Sequence, residues 1–217
     1  YLLMAGNDTA HQYTLSTAFD LSTASYDSVS FSVAAQSTSS QGLFFKPDGT
    51  KMYVATFGSG TIFQYTLSTA FDLSTASYDS VSFSAITQGS TAAAVKIRPD
   101  GLKMYLLMAG NDTAHQYTLS TAYDISTASY DSISFSLVAQ DNTAYDLIFN
   151  ADGTKMYMVG YTGDAVYQYT TGSSTLATLT YPTSVDWPSG TAPNAPADGE
   201  TDVLVFYTED GGTTYYG

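Results

Sequence analysis

The sequence predicts an all-β fold, a β-propeller of four-stranded antiparallel blades followed by a C-terminal linker and β-hairpin. Three observations carry this expectation. A unit of 52 residues repeats without insertion, so that Asp48-Gly49 returns as Asp100-Gly101 and as Asp152-Gly153. Each unit holds four strand-like segments divided by turn signals. Hydrophobic residues make up 44% of the 217 residues and aromatics 14%, enough to bury a core despite the many Ser and Thr. A four-stranded unit of this period points to a propeller blade; the coils of a β-solenoid, the rival, are usually shorter and lack paired hairpin turns.

The repeat is close to verbatim. Residues 1–8 recur unchanged as 105–112, and residues 11–32 recur as 115–136 with only Phe19/Tyr123, Leu21/Ile125 and Val29/Ile133 changed. Within the unit best placed to show all four strands, the first is expected over 43–46. It ends at Pro47-Asp48-Gly49, where Pro presets φ and Gly accepts a positive φ. The second, over 51–57, is rich in Met, Tyr and Val and so is expected to be covered on both faces. Gly58-Ser59-Gly60 then turns the chain into the third strand, over 61–67. Two other units carry Gly-Asn-Asp at this turn. The fourth strand is expected over 80–84, where Val81 and Phe83 alternate with serines at period two.

Tyr1 aligns with Tyr53, Tyr105 and Tyr157, each inside a second strand. The ring is therefore expected to be incomplete within these residues and to be closed by sequence upstream, closure by another chain being the alternative. Blades are expected over residues 1–181. Residues 182–217 divide into a Pro-, Gly- and Ala-rich linker and an acidic hairpin, over 202–208 and 213–216 around Glu209-Asp210-Gly211-Gly212. An isolated hairpin is marginal in water, so this one is expected to pack on another surface.

Charge and composition exclude several function classes. Twenty acids against six bases give a formal net charge of −14. Nucleic-acid binding needs Lys and Arg to neutralise phosphates, and an anionic membrane surface makes the same demand. No apolar run approaches the roughly 18 residues of a spanning helix, so membrane insertion is not expected. Without cysteine there are neither disulfides nor thiolate metal sites.

Candidate residues for chemistry read mostly as structure. His11 and His115 occupy one repeat position, which Phe63 and Tyr167 fill elsewhere. A position open to Phe and Tyr packs a flat ring, so neither a metal nor a catalytic role is expected. Asp20 and Asp27, with Asp72/Asp79 and Asp124/Asp131, recur in three units, whereas a catalytic site is built once. They are expected to cap turns, with a weak calcium site as the alternative. Asp48, Asp100 and Asp152 stand three residues before Lys51, Lys103 and Lys155, which reads as local charge compensation on one rim. The opposite rim is expected to carry Asn7, Asp8, Asn111, Asp112, Asp164, Gln36, Gln88 and Gln140, with Tyr145 and Tyr161 nearby. This surface, polar and poor in positive charge, is the candidate ligand-binding site, suited to neutral sugars or cations, although plain solvation of loops, which any propeller needs there, is the favoured reading. No Gly-rich phosphate loop, nucleophile elbow or histidine-containing triad is present. The expectation is a chain that is not an enzyme, without catalytic residues or cofactor.

The run Phe45-Lys46-Pro47-Asp48-Gly49-Thr50-Lys51-Met52-Tyr53-Val54 resembles the inner hairpin of the YVTN-type family of β-propeller repeats, a likeness covering roughly residues 1 to 170. The element Tyr-Thr-Leu-Ser-Thr-Ala-Phe-Asp-Leu-Ser-Thr-Ala-Ser-Tyr-Asp, residues 65–79, resembles repeats in structural proteins of marine bacteriophages. Residues 186–217 are similar to C-terminal segments of phage tail-fibre and appendage proteins. These resemblances imply a virion structural protein, a tail fibre or similar appendage, whose partners are other virion proteins, copies of itself and a host-surface glycan. The alternative is a secreted bacterial carbohydrate-binding or adhesive propeller.

Overall fold

The computed structural model of the chain describes residues 1–171, 185–186 and 215–216. Four antiparallel sheets follow one another along the chain, each built from strands paired in sequence order. Blade I holds β1 (Leu2–Met4), β2 (Thr9–Leu15) and β3 (Ala24–Ser32). Blade II holds β4 (Ser40–Phe45), β5 (Lys51–Thr56), β6 (Thr61–Leu67) and β7 (Ala76–Ser84). Blade III repeats this with β8 (Ala92–Ile97), β9 (Lys103–Met108), β10 (Thr113–Leu119) and β11 (Ala128–Ser136). Blade IV holds β12 (Ala144–Phe149), β13 (Lys155–Gly160) and β14 (Ala165–Thr170). The first strands β4, β8 and β12 lie side by side. They approach closely because their facing residues are small: a Cβ on Gly42 would stand 2.7 Å from the carbonyl oxygen of Ala93.

The expected strands form with two changes. The first strand starts earlier, at Ser40. The fourth starts at Ala76 and carries a bulge opposite Gln64 and Tyr65, where Tyr78 pairs with Tyr65 and Val81 with Gln64. Ser80 takes φ 58° at this bulge, and its counterparts Ser28 and Ser132 take 57° and 58°. Asp79 and Ser80 are the two extra residues, so the parity of the strand is kept: Val81 and Phe83 share one face with Gln64 and Ile62, and Tyr78 lies on the other with Tyr65.

The core lies between the blades. Met52, Val54, Tyr65, Leu67 and Leu73 of blade II pack on Ala10 and Val33 from blade I. Tyr53, Ala55 and Ile62 on the other face of the same sheet pack on Leu106, Tyr117, Leu119 and Ile125 of blade III. The second strands are thus buried on both faces, as their continuous apolar pattern predicts. The link between third and fourth strands is a short 3-10 turn, Leu73–Thr75 in blade II, capped by Asp72, whose carboxylate accepts from the Ser74 N–H at 2.9 Å. Asp20 and Asp124 repeat the cap.

The chain divides into two units, Tyr1–Thr170 and Thr171–Gly217. In the second unit, β15 (Val185–Asp186) pairs in parallel with β16 (Tyr215–Tyr216). The hairpin expected over 202–216 otherwise lies outside the described residues, as does the linker apart from Val185 and Asp186.

Candidate functional site

Four equivalent turn positions show how the loop residues are used. Gly60 takes φ 57°, and Asp8, Asp112 and Asp164 stand at the same register with φ 49°, 46° and 46°. Asp tolerates this left-handed conformation better than most residues. In doing so Asp8 aims its carboxylate across the seam and accepts from the Ser40 N–H and hydroxyl, each at 2.7 Å. Asp112 accepts from the Ala144 N–H at 2.8 Å. Asp8 and Asp112 are 6% and 5% exposed. Their expected place on an open ligand-binding rim is therefore corrected: each carboxylate satisfies a backbone donor of the following blade.

The glutamines also serve the seams. Gln36, Gln88 and Gln140 accept from the hydroxyls of Tyr65, Tyr117 and Tyr169 at 3.2, 3.3 and 3.3 Å, each across one blade junction. Asn7 and Asn111 sit exposed at turn tips, Asn111 donating to the Gln88 carbonyl at 2.9 Å. Asp164 is exposed. Of the rim candidates, then, Asn7, Asn111, Asp164 and Gln140 face solvent, while Gln36 and Gln88 are half-buried.

Blade IV brings together residues that the repeat does not contain. Asp141, where blades II and III have Ser37 and Gly89 at the equivalent positions, is 4% exposed and ties down the loop after β13. Burial pushes its carboxyl up, but the N–H groups of Gly163 at 2.6 Å, Thr143 at 2.8 Å and Thr162 at 3.4 Å hold it below the usual range. The loop so fixed presents Tyr161 beside Tyr145, ring centroids 5.6 Å apart and 66% and 52% exposed. With Val159, Asp164 and Val166 they border an open hollow of about 430 Å3. The departure of Asp141 from the repeat was the available signal for this arrangement. A cleft of about 570 Å3 lies on the opposite rim, at the Pro99-Asp100-Gly101 and Ala151-Asp152-Gly153 turns.

The bases pair differently from expectation. Lys46 and Arg98 do neutralise turn carboxylates, Asp48 at 2.7 Å and Asp100 at 2.5 Å. Lys51 and Lys103 instead cross the sheet to Asp79 and Asp131 at 3.1 and 2.7 Å. The bulge in the fourth strand turns these acids toward Gln64 and Gln116, whose amides donate to them at 2.9 and 2.7 Å. The same Gln64 accepts the Ile125 N–H of blade III at 3.1 Å, and Gln12 accepts that of Leu73 in blade II at 2.9 Å.

The histidines pack as rings. His115 meets Tyr130 edge-on at 5.7 Å and His11 meets Tyr26 at 5.7 Å, while Phe63 meets Tyr78 at 5.9 Å in the same place. His115 is 7% exposed, and its Nε2 has no hydrogen-bond partner. Burial lowers its pKa from 6.5, so the fold favours the neutral ring. Stability from this site is present above the unfolded value and is lost as pH falls through 6.5 toward the folded one. His115→Phe is expected to melt within a few degrees of the parent at pH 8 and to lose less on going to pH 5. A melting curve that falls equally in both proteins between those values would refute the assignment. Among the described residues no group of three His, Cys, Asp or Glu is placed to hold a metal ion, and no helix is long and apolar enough to cross a membrane.

No protein-family model matches the chain, and no curated protein matches it. Solved structures do. A putative 6-phosphogluconolactonase of Bacteroides fragilis NCTC 9343 superposes with TM-score 0.54 at 15% identity, over 79% of this chain and 47% of that one. A protein from Lactobacillus plantarum gives 0.54 at 19% identity, over 78% and 47%. A second putative 6-phosphogluconolactonase, from Bacteroides uniformis ATCC 8492, gives 0.51 at 10% identity, over 77% and 49%. The chain spans about half the length of these structures. Their names correct the expectation that the chain is not an enzyme. That expectation rested on the lack of a histidine-containing triad, but this fold is shared with proteins named as lactonases, and a carboxylate can activate water without histidine or serine. At these identities the likeness shows the fold alone. By that likeness and by its four successive antiparallel sheets, the chain is a run of β-propeller blades.

Proposed function

We propose that these blades form the surface-binding part of an extracellular particle, a tail fibre or similar virion appendage, and that loop tips on one rim meet the host surface. The observation that supports this most is the division of labour among residues. Repeated ones (Gln12, Gln64, Tyr65, Tyr117) stitch blades together and Asp79 and Asp131 tie strands within a blade, while Asn7, Asn111, Tyr145, Tyr161 and Asp164 remain exposed on the scaffold so made. The likeness of residues 65–79 and 186–217 to phage structural proteins favours a particle over the alternative, a secreted bacterial adhesive propeller. Several copies per particle raise avidity by roughly 10²–10⁴ without new contacts, so each site can be weak. With so few bases, adsorption is expected to depend little on salt. The test is adsorption of particles carrying Asn7→Ala, Asn111→Ala and Tyr161→Ala together, with Asp8 and Asp112 kept because they hold seams. Adsorption is expected to fall at least tenfold with melting unchanged; adsorption at the parental level would overturn the reading.

A second reading, hydrolysis of a sugar lactone, is favoured by the names of the solved structures alone. Turnover of an aldonolactone by the purified protein, abolished by denaturation, would establish it.

A further inference from the structure

Each blade meets its neighbours through two different faces, a leading face on the blade before it and a trailing face on the blade after it. In blade III the leading face is formed by Leu106, Met108, Tyr117, Leu119 and Ile125, all buried against blade II. Blade I carries nearly the same face as Leu2, Met4, Tyr13, Leu15 and Leu21, because residues 1–8 and 11–32 repeat 105–112 and 115–136. Here Leu2 is 48% and Leu21 81% exposed, and Met4 and Tyr13 are exposed as well. A repeat whose outer face meets water ordinarily carries polar residues there. Blade I has no such change: its three differences from blade III are Phe19 for Tyr, Leu21 for Ile and Val29 for Ile.

The trailing face of blade IV is open in the same way. Val159 and Val166 are 41% and 68% exposed, whereas their counterparts Ala55 and Ile62 in blade II are wholly buried against blade III. The same face carries the polar groups that join blades elsewhere. Tyr1 and Tyr53 donate their hydroxyl hydrogens to the carbonyls of Phe71 and Tyr123 in the next blade. Gln12 and Gln64 accept the N–H groups of Leu73 and Ile125 there. Tyr157 and Gln168 stand at these two positions in blade IV, and Gln168 is exposed. The corresponding carbonyl and N–H in blade I are those of Phe19 and Leu21.

We infer that the trailing face of blade IV docks on the leading face of blade I in a second copy of the chain. Strands β13 and β14 of one copy lie against β1, β2 and the Leu21–Thr23 turn of the other. Tyr157 donates to the Phe19 carbonyl of the second copy, and Gln168 accepts its Leu21 N–H. Val159 and Val166 cover Tyr13 and Leu21, which removes two apolar faces from water. Three seams of this kind already join the four blades, so the contact continues an interface that the chain makes within itself. A second copy is the occupant because one chain carries both halves of the seam. Such a head-to-tail contact closes a ring where its rotation permits. The blades superpose on 47% and 49% of two solved structures, so a second run of the same kind supplies the rest of such a fold. Asn111 stays exposed beside the seam of blades II and III, so loop tips remain free and adsorption is a separate question.

The test is analytical ultracentrifugation of the purified chain at micromolar concentration, where the parent is expected to sediment as a dimer. Leu21→Asp puts a carboxylate into the seam from blade I, and Val166→Asp does so from blade IV. Each is expected to raise the dimer dissociation constant at least about tenfold, because a charge buried without a partner is costly. Both side chains are exposed in the single chain, so each variant is expected to keep the parental circular dichroism spectrum. The mixture decides. In equal amounts the two variants are expected to form a 1:1 complex, with blade IV of the Leu21→Asp chain on blade I of the Val166→Asp chain. A parent that stays monomeric overturns the inference and points to further blades of a longer chain as the occupant. Dimers that neither variant weakens overturn it as well. So does a mixture that stays monomeric, the outcome expected of a contact between two like faces.

Discussion

Tyr117→Ala is expected to lower the unfolding free energy by about 3–5 kcal/mol, the cost of truncating a large buried aromatic side chain. Tyr117 is wholly buried between blades II and III. Its ring meets Phe83 of the preceding blade edge-on at 5.2 Å and Tyr130 of its own blade at 5.3 Å, and its hydroxyl donates to Gln88. Truncation opens a cavity in a seam that small residues cannot move to close, because the first strands are already in contact. Tyr117→Phe keeps the ring and gives up one hydrogen bond of 3.3 Å, so it is expected to cost only about 1 kcal/mol. Urea denaturation of both variants measures the difference. If Tyr117→Ala lost less than the Phe variant, stability would not reside in the seams.

The second large effect is expected at Asp131. Burial pushes its carboxyl up, but bonds from Lys103 at 2.7 Å, Thr118 at 2.6 Å and Gln116 at 2.7 Å outweigh this and bring it down to about 2. A carboxyl depressed on folding contributes stability that is complete above its unfolded pKa, near 4, and is lost as pH falls toward 2. The melting temperature is expected to drop through that window. In Asp131→Ala the drop is expected to be shallower and the protein less stable at pH 7, by about 2–3 kcal/mol, because three donors lose their acceptor at once. Lys103→Met, which leaves the amide and hydroxyl in place, is expected to fall between the two. A parental acid transition in Asp131→Ala would show that other carboxylates govern it.

Both predictions concern contacts that run across sheets or between blades, and these separate what was legible in the sequence from what was not. Strand positions followed from turn chemistry and from side-chain alternation, which are local. Pro47-Asp48-Gly49 makes a hairpin turn wherever it stands, and residues 51–56 are apolar on both faces whatever they pack against. The paired roles of His115 and Phe63 were also legible, since the repeat itself shows that one position accepts either ring. The bulge at Ser80 was not, because serine gives no warning of a positive φ.

The sequence by itself determined the blade, its repeat, its turns and its acidic character. Only the tertiary structure decided that Asp8 and Asp112 hold seams instead of facing a ligand, that Lys51 and Lys103 reach the fourth strand, and that Asp141 braces the Tyr161 loop. The reason is distance along the chain. Asp8 meets Ser40 across 32 positions, Gln12 meets Leu73 across 61, and Tyr53 meets Tyr123 across 70. Turn propensity and period-two alternation act between residues a few positions apart. They leave open which polar side chain of one blade lies against which backbone donor of the next, a choice made when the sheets stack and each buried N–H must find an acceptor.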